Sequence, residues 1–342
     1  MARRSSFGNS LDGARRGLAL WLVGHYASRA MNTLSRRDWL GAAALAGAAA
    51  VTGTANAQPK PTIDDLIRTV KGVRVFDLSF TWNDQSPVLN LNPPYSFALN
   101  RTHKMTHEIF GQVPGSRVSW ASEIMFFSGQ HGSPTLDAIG HIGRDLKLYG
   151  GVDAVAATAT PGGIGASLGI DHFPVDLMFN RVVLLDVARQ FAGGRPDPLA
   201  PGFEITAAHL DATAKAQGVE VKPGDSLLIR TGWGQYFGKD NAKFLGDQSP
   251  GPGQDAARWI IDHKVRLAGD DTATFEKRPA AYGRELFSVH MMLLADSGIY
   301  IMENANLEPL GDAKVGAALL VITPLKIQGG TGSPLRALAL AP

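Results

Sequence analysis

Stretches that read as β-strands alternate along this chain with stretches that read as helices, and that alternation leaves few architectures open. Val73–Phe80 alternates apolar and polar side chains as a half-buried strand does. Asn180–Val187, Ser226–Thr231, Val265–Gly269 and Ala317–Pro324 read as further strands, and Val118–Phe127 as a strand that ends just before His131. Ile63–Lys71, Ile205–Gln217 (with Glu204 or Thr206 at its start) and Ala256–Lys264 read as helices. Strands in turn with helices imply an α/β architecture. The chain has no internal repeat and no linker, so residues 58–342 are expected to form one domain. It has no cysteine, hence no disulfide, thiol nucleophile or Cys-ligated metal, and stability must come from the core. Two segments break the alternation. Residues 81–118, rich in Asn, Pro and aromatics, are expected to be an irregular binding loop or subunit contact. Gly238–Gly253 is expected to be a mobile loop and a candidate lid.

The first 57 residues are expected to lie outside the fold. Ser35-Arg36-Arg37-Asp38-Trp39-Leu40-Gly41 has the form of a twin-arginine export signal, an apolar Ala/Gly run follows over Ala42–Val51, and Ala55-Asn56-Ala57 has the small-x-small form of a cleavage site. Met31 offers a second start within this leader. The expected location is periplasmic, with the mature chain starting at Gln58. The leader holds Arg3, Arg4, Arg15, Arg16, Arg29, Arg36 and Arg37 against Asp12 and Asp38, so the +2 of the whole chain becomes −3 for residues 58–342. That charge supplies no basic patch for nucleic acid or membrane, and a small-molecule substrate is the expected partner.

Five residues suit a divalent cation: His131, Asp137, His141, His290 and Glu303. The first three fall within eleven positions. Asp137 and His141, four apart, would share a face if their segment were helical; Gly140 weighs against a helix, and a tight turn would serve as well. His290 and Glu303 flank an apolar stretch that reads as helix (Ser288–Asp296), turn (Ser297-Gly298) and returning strand (Ile299–Asn304). At about 1.5 Å per helical residue and about 3.3 Å per strand residue, the two limbs have comparable lengths, so the two side chains can meet. Imidazoles with carboxylates suit Zn²⁺ or Mn²⁺. His103 and His107, also four apart, are expected on a solvated loop. No Gly-x-Ser-x-Gly elbow is present.

Read together, these segments resemble the cyclase family that contains bacterial kynurenine formamidase and isatin hydrolase. Its central motif, His-x-Gly-Thr-His-x-Asp-x-Pro-x-His, is similar to His131-Gly-Ser-Pro-Thr135-Leu-Asp137-Ala-Ile-Gly-His141. Val75-Phe76-Asp77-Leu78-Ser79, Pro223-Gly224-Asp225 with Arg230-Thr231-Gly232-Trp233, Gly269-Asp270-Asp271-Thr272 with Glu276, and Gly329-Gly330-Thr331-Gly332-Ser333-Pro334 resemble the family in the same order. The resemblance implies a swivelling β/β/α-type single domain with a mixed sheet, a Zn or Mn site, hydrolysis of an amide or cyclic amide, and a homodimer or larger assembly. It implies metal ligation by His131, Asp137, His141, His290 and Glu303. The family's second motif His falls at Thr135 here and its Pro at Ile139. A Thr hydroxyl is a poor replacement for an imidazole. One metal is therefore expected at Asp137, His141, His290 and Glu303, with a weaker ion or none at His131.

A hydrolase would use metal-activated water, with His141, His290 or Glu303 as base and Trp82, Phe97, Trp233 and Tyr236 as candidate pocket walls. A non-catalytic periplasmic ligand-binding protein on the same scaffold, or a metal-assisted lyase or cyclase, are the competing readings.

Overall fold

The computed structural model describes residues 60–191, 193, 197–280 and 285–342. The expected twin-arginine signal and cleavage site lie outside them. Residues from Thr62 to Pro342 form one compact unit. Its centre is a nine-stranded mixed sheet of β1 (Arg74–Asp77), β4 (Thr135–Asp137), β5 (Phe179–Asp186), β6 (Ser226–Arg230), β7 (Leu267–Asp270), β8 (Tyr300–Glu303), β9 (Ala317–Val321), β10 (Gly332–Pro334) and β11 (Leu338–Ala341). A separate ribbon pairs β2 (Ser96–Arg101) with β3 (Ser122–Phe126). The sheet order is β1-β11-β9-β5-β6-β7-β8-β4-β10. The four central strands, β5 to β8, run parallel, and antiparallel strands flank them on both sides.

The alternation within β5 shows how sequence becomes layers. Val183 and Leu185 join a core cluster with Leu227, Ile229 and Ala268, which is covered by helix α3 (Ala207–Gln217, through Leu210) and helix α4 (Gln254–Asp262, through Ala256 and Ile260). Val182 and Leu184 point to the other face, with Leu228, Met302, Leu320 and Ala339. Both faces are buried, as a parallel sheet requires. Emptying one such position, Leu227→Ala for example, would cost about 2–5 kcal/mol. Helix α3 starts where Thr206 accepts from the His209 N–H and stops at Gly218, whose φ of +64° suits only a residue without Cβ penalty.

Ile63–Lys71 is helix α1, with a Thr62/Asp65 capping box. Residues 81–118 are not wholly irregular: they contain β2 and helix α2 (His103–Phe110), so His103 and His107 sit on a helix rather than a loop. Thr102 caps α2 by accepting from the Met105 N–H. Within Gly238–Gly253 a short helix, Asn241–Phe244, interrupts the expected loop. Of the helix and the tight turn that the spacing of Asp137 and His141 leaves open, the structure has the turn. Asp137 ends β4, which is clamped between β8 and β10, and strand pairing overrides the i,i+4 spacing. His141 follows in a tight turn, its N–H donating to the Ala138 carbonyl at 2.9 Å.

Candidate metal centre

Glu303 ends β8 and lies opposite Thr135 of β4. Side chains alternate along a strand, so Thr135 and Asp137 leave the sheet on the face that Glu303 uses. His290 arrives by a different route. The chain makes an α-turn at Ser288–His290, continues as a π-turn over Met291–Ala295, reverses at Ser297-Gly298 and returns along β8. The expected helix-turn-strand geometry is therefore present, with one wide turn in place of regular helix. His290 Nε2 lies 3.2 Å from Glu303 Oε1 and 3.8 Å from Asp137 Oδ2. One donor atom from each of the three lies within 4.8 Å of the others, and all three residues are buried.

Glu276 fixes the orientation of His290. Its Oε2 accepts from the N–H groups of Val289 (2.8 Å) and His290 (3.0 Å), and from His290 Nδ1 at 3.1 Å. With Nδ1 donating, Nε2 is left to face Asp137 and Glu303, and a carboxylate behind a ligand imidazole is the usual support for metal-binding histidines. Burial would lower the His290 pKa, but the hydrogen bonds and charges of Glu276 and Glu303 outweigh it and hold it well above the ordinary value. Burial, then the neighbouring Asp137 carboxylate, push Glu303 up to about 7.

Asp137 has buried carboxylate oxygens with no hydrogen-bond partner on either one. A buried carboxylate without donors is costly. Three carboxylates converge on one imidazole, and that surplus of negative charge is the environment in which a divalent cation is bound. The donor set of two carboxylates and one imidazole, with Glu276 behind, fits Zn²⁺ or Mn²⁺.

The structure places the other two sequence candidates differently. His141 lines the same cavity as His290 and Glu303, with Nδ1 at 3.3 Å from Gln130 Nε2, but it is outside the group of three. Burial lowers its pKa, with Asp137 opposing and His290 reinforcing the shift. His131 stands apart from the group of three. Its Nδ1 accepts from the Ser128 N–H at 2.9 Å, and its Nε2 donates to the Pro93 carbonyl at 2.6 Å. Trp82 and Tyr95 meet the ring edge-on. Both ring nitrogens are thus engaged in hydrogen bonds. Thr135, in the position of the missing imidazole, is fully buried and donates its hydroxyl to the Gly129 carbonyl at 2.9 Å.

The cavity above the centre has a volume of about 160 Å³. Its apolar wall comes from Val88, Leu89, Leu91, Leu245 and Phe287, with Asn304 among the polar lining. None of Trp82, Phe97, Trp233 and Tyr236 lines it. Trp233 is instead buried in a satellite core with Phe237 and Phe244, and Phe97 is exposed on β2. Leu245 does come from the expected lid segment. Phe287 and Asn304, next to the two ligand-bearing elements, hold positive φ (53° and 58°). Such backbone costs about 1–3 kcal/mol per residue and concentrates at functional sites. Local sequence gave no signal for Gln130 or Phe287. Glu276 was marked only through the resemblance, because its contact with His290 is made by tertiary folding.

A family model described as putative cyclase matches residues 76–277. The isatin hydrolase of Roseibium aggregatum is 29% identical over 278 residues, covering 79% of this chain and 92% of that one. Among solved structures, one described as a novel cyclase superposes with a TM-score of 0.67 at 28% identity, covering 82% of this chain and 93% of its own. Isatin hydrolase A from Ralstonia solanacearum shares the fold with a TM-score of 0.63 at 22% identity, covering 83% and 99%.

Proposed function

This chain belongs to the putative cyclase family, and from that premise we propose that it is a metal-dependent hydrolase of a small, uncharged amide or cyclic amide. One observation carries the reading: the donorless buried carboxylate of Asp137, grouped with His290 and Glu303, which line a small cavity with an aliphatic wall. The isatin hydrolase likeness supports the choice of a lactam-type substrate.

Asp137, His290 and Glu303 would hold one divalent ion. When bound, that ion supplies Lewis acidity toward a substrate carbonyl and acidifies water. Glu276 keeps the proton on His290 Nδ1 and so keeps Nε2 available. His141 is the remaining imidazole on the cavity wall. We assign it to taking the proton of the attacking water and returning it to the departing nitrogen. Val88, Leu89, Leu91 and Leu245 exclude bulk water and leave room for a ring rather than a peptide. Among the described lining residues there is no Lys or Arg, which favours neutral substrates over anionic ones. Export to the periplasm belongs to the same proposal, and fractionation of cells expressing the full chain tests it.

The test is turnover by the purified, Zn- or Mn-loaded protein on isatin and on an aryl formamide, with products identified by mass. Ring opening or deformylation with addition of one water supports the reading. Rearranged product without added water would indicate a lyase or cyclase. The satisfied half-site at His131 and Thr135 is what favours a binding protein, and tight binding of either compound without conversion would establish that instead.

A further inference from the structure

A second cleft, of about 470 Å³, shares no lining residue with the cavity over the metal centre. It lies between the end of helix α4, the reversal at Ser297-Gly298 and the start of β8 at Tyr300. Ile139, Val265 and Ile299 give it a buried apolar lining. Two aromatic side chains frame it. Tyr149 lies so close over Gly298 that a Cβ there would meet its ring at 2.7 Å, and Tyr300 meets Phe173 edge-on at 4.8 Å. The charged lining has one sign: Lys264 and Arg266 belong to it, and no carboxylate does. Arg266 is tied to Asp176 at 2.5 Å. The Lys264 ammonium and the Tyr300 hydroxyl have no hydrogen-bond or ion-pair partner among the described residues. Lys264 follows the cap of α4 with a φ of +55°. Helices most often place Gly at that left-handed position, so a Lys there carries its cation to the cleft at a conformational cost.

We propose that this cleft is a second ligand site and that it takes an aromatic carboxylate. Lys264, with the guanidinium of Arg266 beside it, supplies the charge for the carboxylate, and charge-assisted hydrogen bonds are the strong ones. The Tyr300 hydroxyl is a further free donor. The apolar lining and the Tyr149 ring suit the flat hydrocarbon part of the ligand. The contrast with the cavity over the metal centre is one of charge, since that lining has no Lys or Arg. Occupancy reaches the centre through the chain itself. Ile139 lies between Asp137 and His141, and Ser297 to Tyr300 lie between His290 and Glu303. A ligand held here therefore orders both segments that carry the centre. Opening of a lactam releases a carboxylate of this class, which makes the product a ligand of the site. That last step rests on the proposed function, whereas the site itself does not.

Equilibrium dialysis of labelled benzoate against the chelator-treated full chain tests it, because without an ion the centre offers the carboxylate no metal. Saturable binding of one equivalent is expected. Benzamide, which lacks the charge, and acetate, which lacks the ring, should each compete at least about tenfold more weakly. Lys264→Gln should weaken benzoate binding about tenfold and Tyr300→Phe severalfold, with circular dichroism spectra unchanged. Lys215→Gln, on the exposed side of α3, should bind as the wild type does. Benzoate should also slow amide exchange over residues 297–300 in the wild type and not in Lys264→Gln. The absence of saturable binding, equal competition by benzamide, or full affinity in Lys264→Gln would overturn the proposal. None of these readouts needs turnover, so a failure here is distinct from a failure of the hydrolase reading.

Discussion

Residues 131 and 137 lie in one short motif and end in opposite states. At His131, every hydrogen-bonding atom of the ring has a partner, and Thr135 beside it is likewise paired with the Gly129 carbonyl. At Asp137, two residues on from Thr135, both buried oxygens have none. The first pattern is that of a structural core, where polar groups are buried only when paired. The second, a buried carboxylate without hydrogen-bond donors, is an environment that suits a cation. The comparison teaches that one short motif can be divided: one part closed by hydrogen bonds, the other left open for a cation.

Four groups of variants bear on that division, in order of expected effect. Asp137→Ala or His290→Ala should abolish stoichiometric metal binding and lower turnover by about 10³-fold or more, since the centre loses both charge and Lewis acid. His141→Asn should retain the ion and lower kcat by about 10²–10⁴-fold, the range of a lost general base; loss of the ion instead would make His141 a ligand. Glu276→Gln should weaken metal affinity by about 10–100-fold while leaving the fold intact, measured by competition with a chelator. His131→Ala or Thr135→Ala should leave metal content unchanged and cost about 1–3 kcal/mol of stability in urea unfolding, because each leaves a buried partner unsatisfied.

The pH dependence sharpens the same contrast. Glu303 titrates near 7 and His290 holds its proton well above the ordinary imidazole value, so binding a cation must displace protons. Affinity should therefore rise from pH 6 to pH 8 by at least about tenfold. Calorimetry in buffers of different ionisation enthalpy would count the protons released. An affinity that is flat across this range would mean the cluster is already deprotonated.

Legibility from sequence followed locality. The Ser288–Glu303 unit was readable because helix rise, turn and strand rise are local quantities, and they brought His290 to 3.2 Å from Glu303. The central strands were readable because their apolar runs are local too. The spacing of Asp137 and His141 left a helix and a tight turn both open; the tight turn is found, since β4 exists only by pairing with β8 and β10, whose residues lie far away in sequence. Strand β3 is legible within Val118–Phe127, whereas its partner β2 is not, because Ser96–Arg101 mixes apolar and polar residues without burying either face. Thr135 did announce the loss of one ligand, but that His131 would turn to the Pro93 carbonyl depends on where residues 87–95 fold.

The most direct measurement is the metal content of the purified protein by elemental mass spectrometry, made in parallel on wild type, Asp137→Ala and His131→Ala. About one equivalent of Zn or Mn in wild type and His131→Ala, and none in Asp137→Ala, is the predicted result. Two equivalents in wild type falling to one in His131→Ala, or no metal in wild type even after reconstitution, would contradict it.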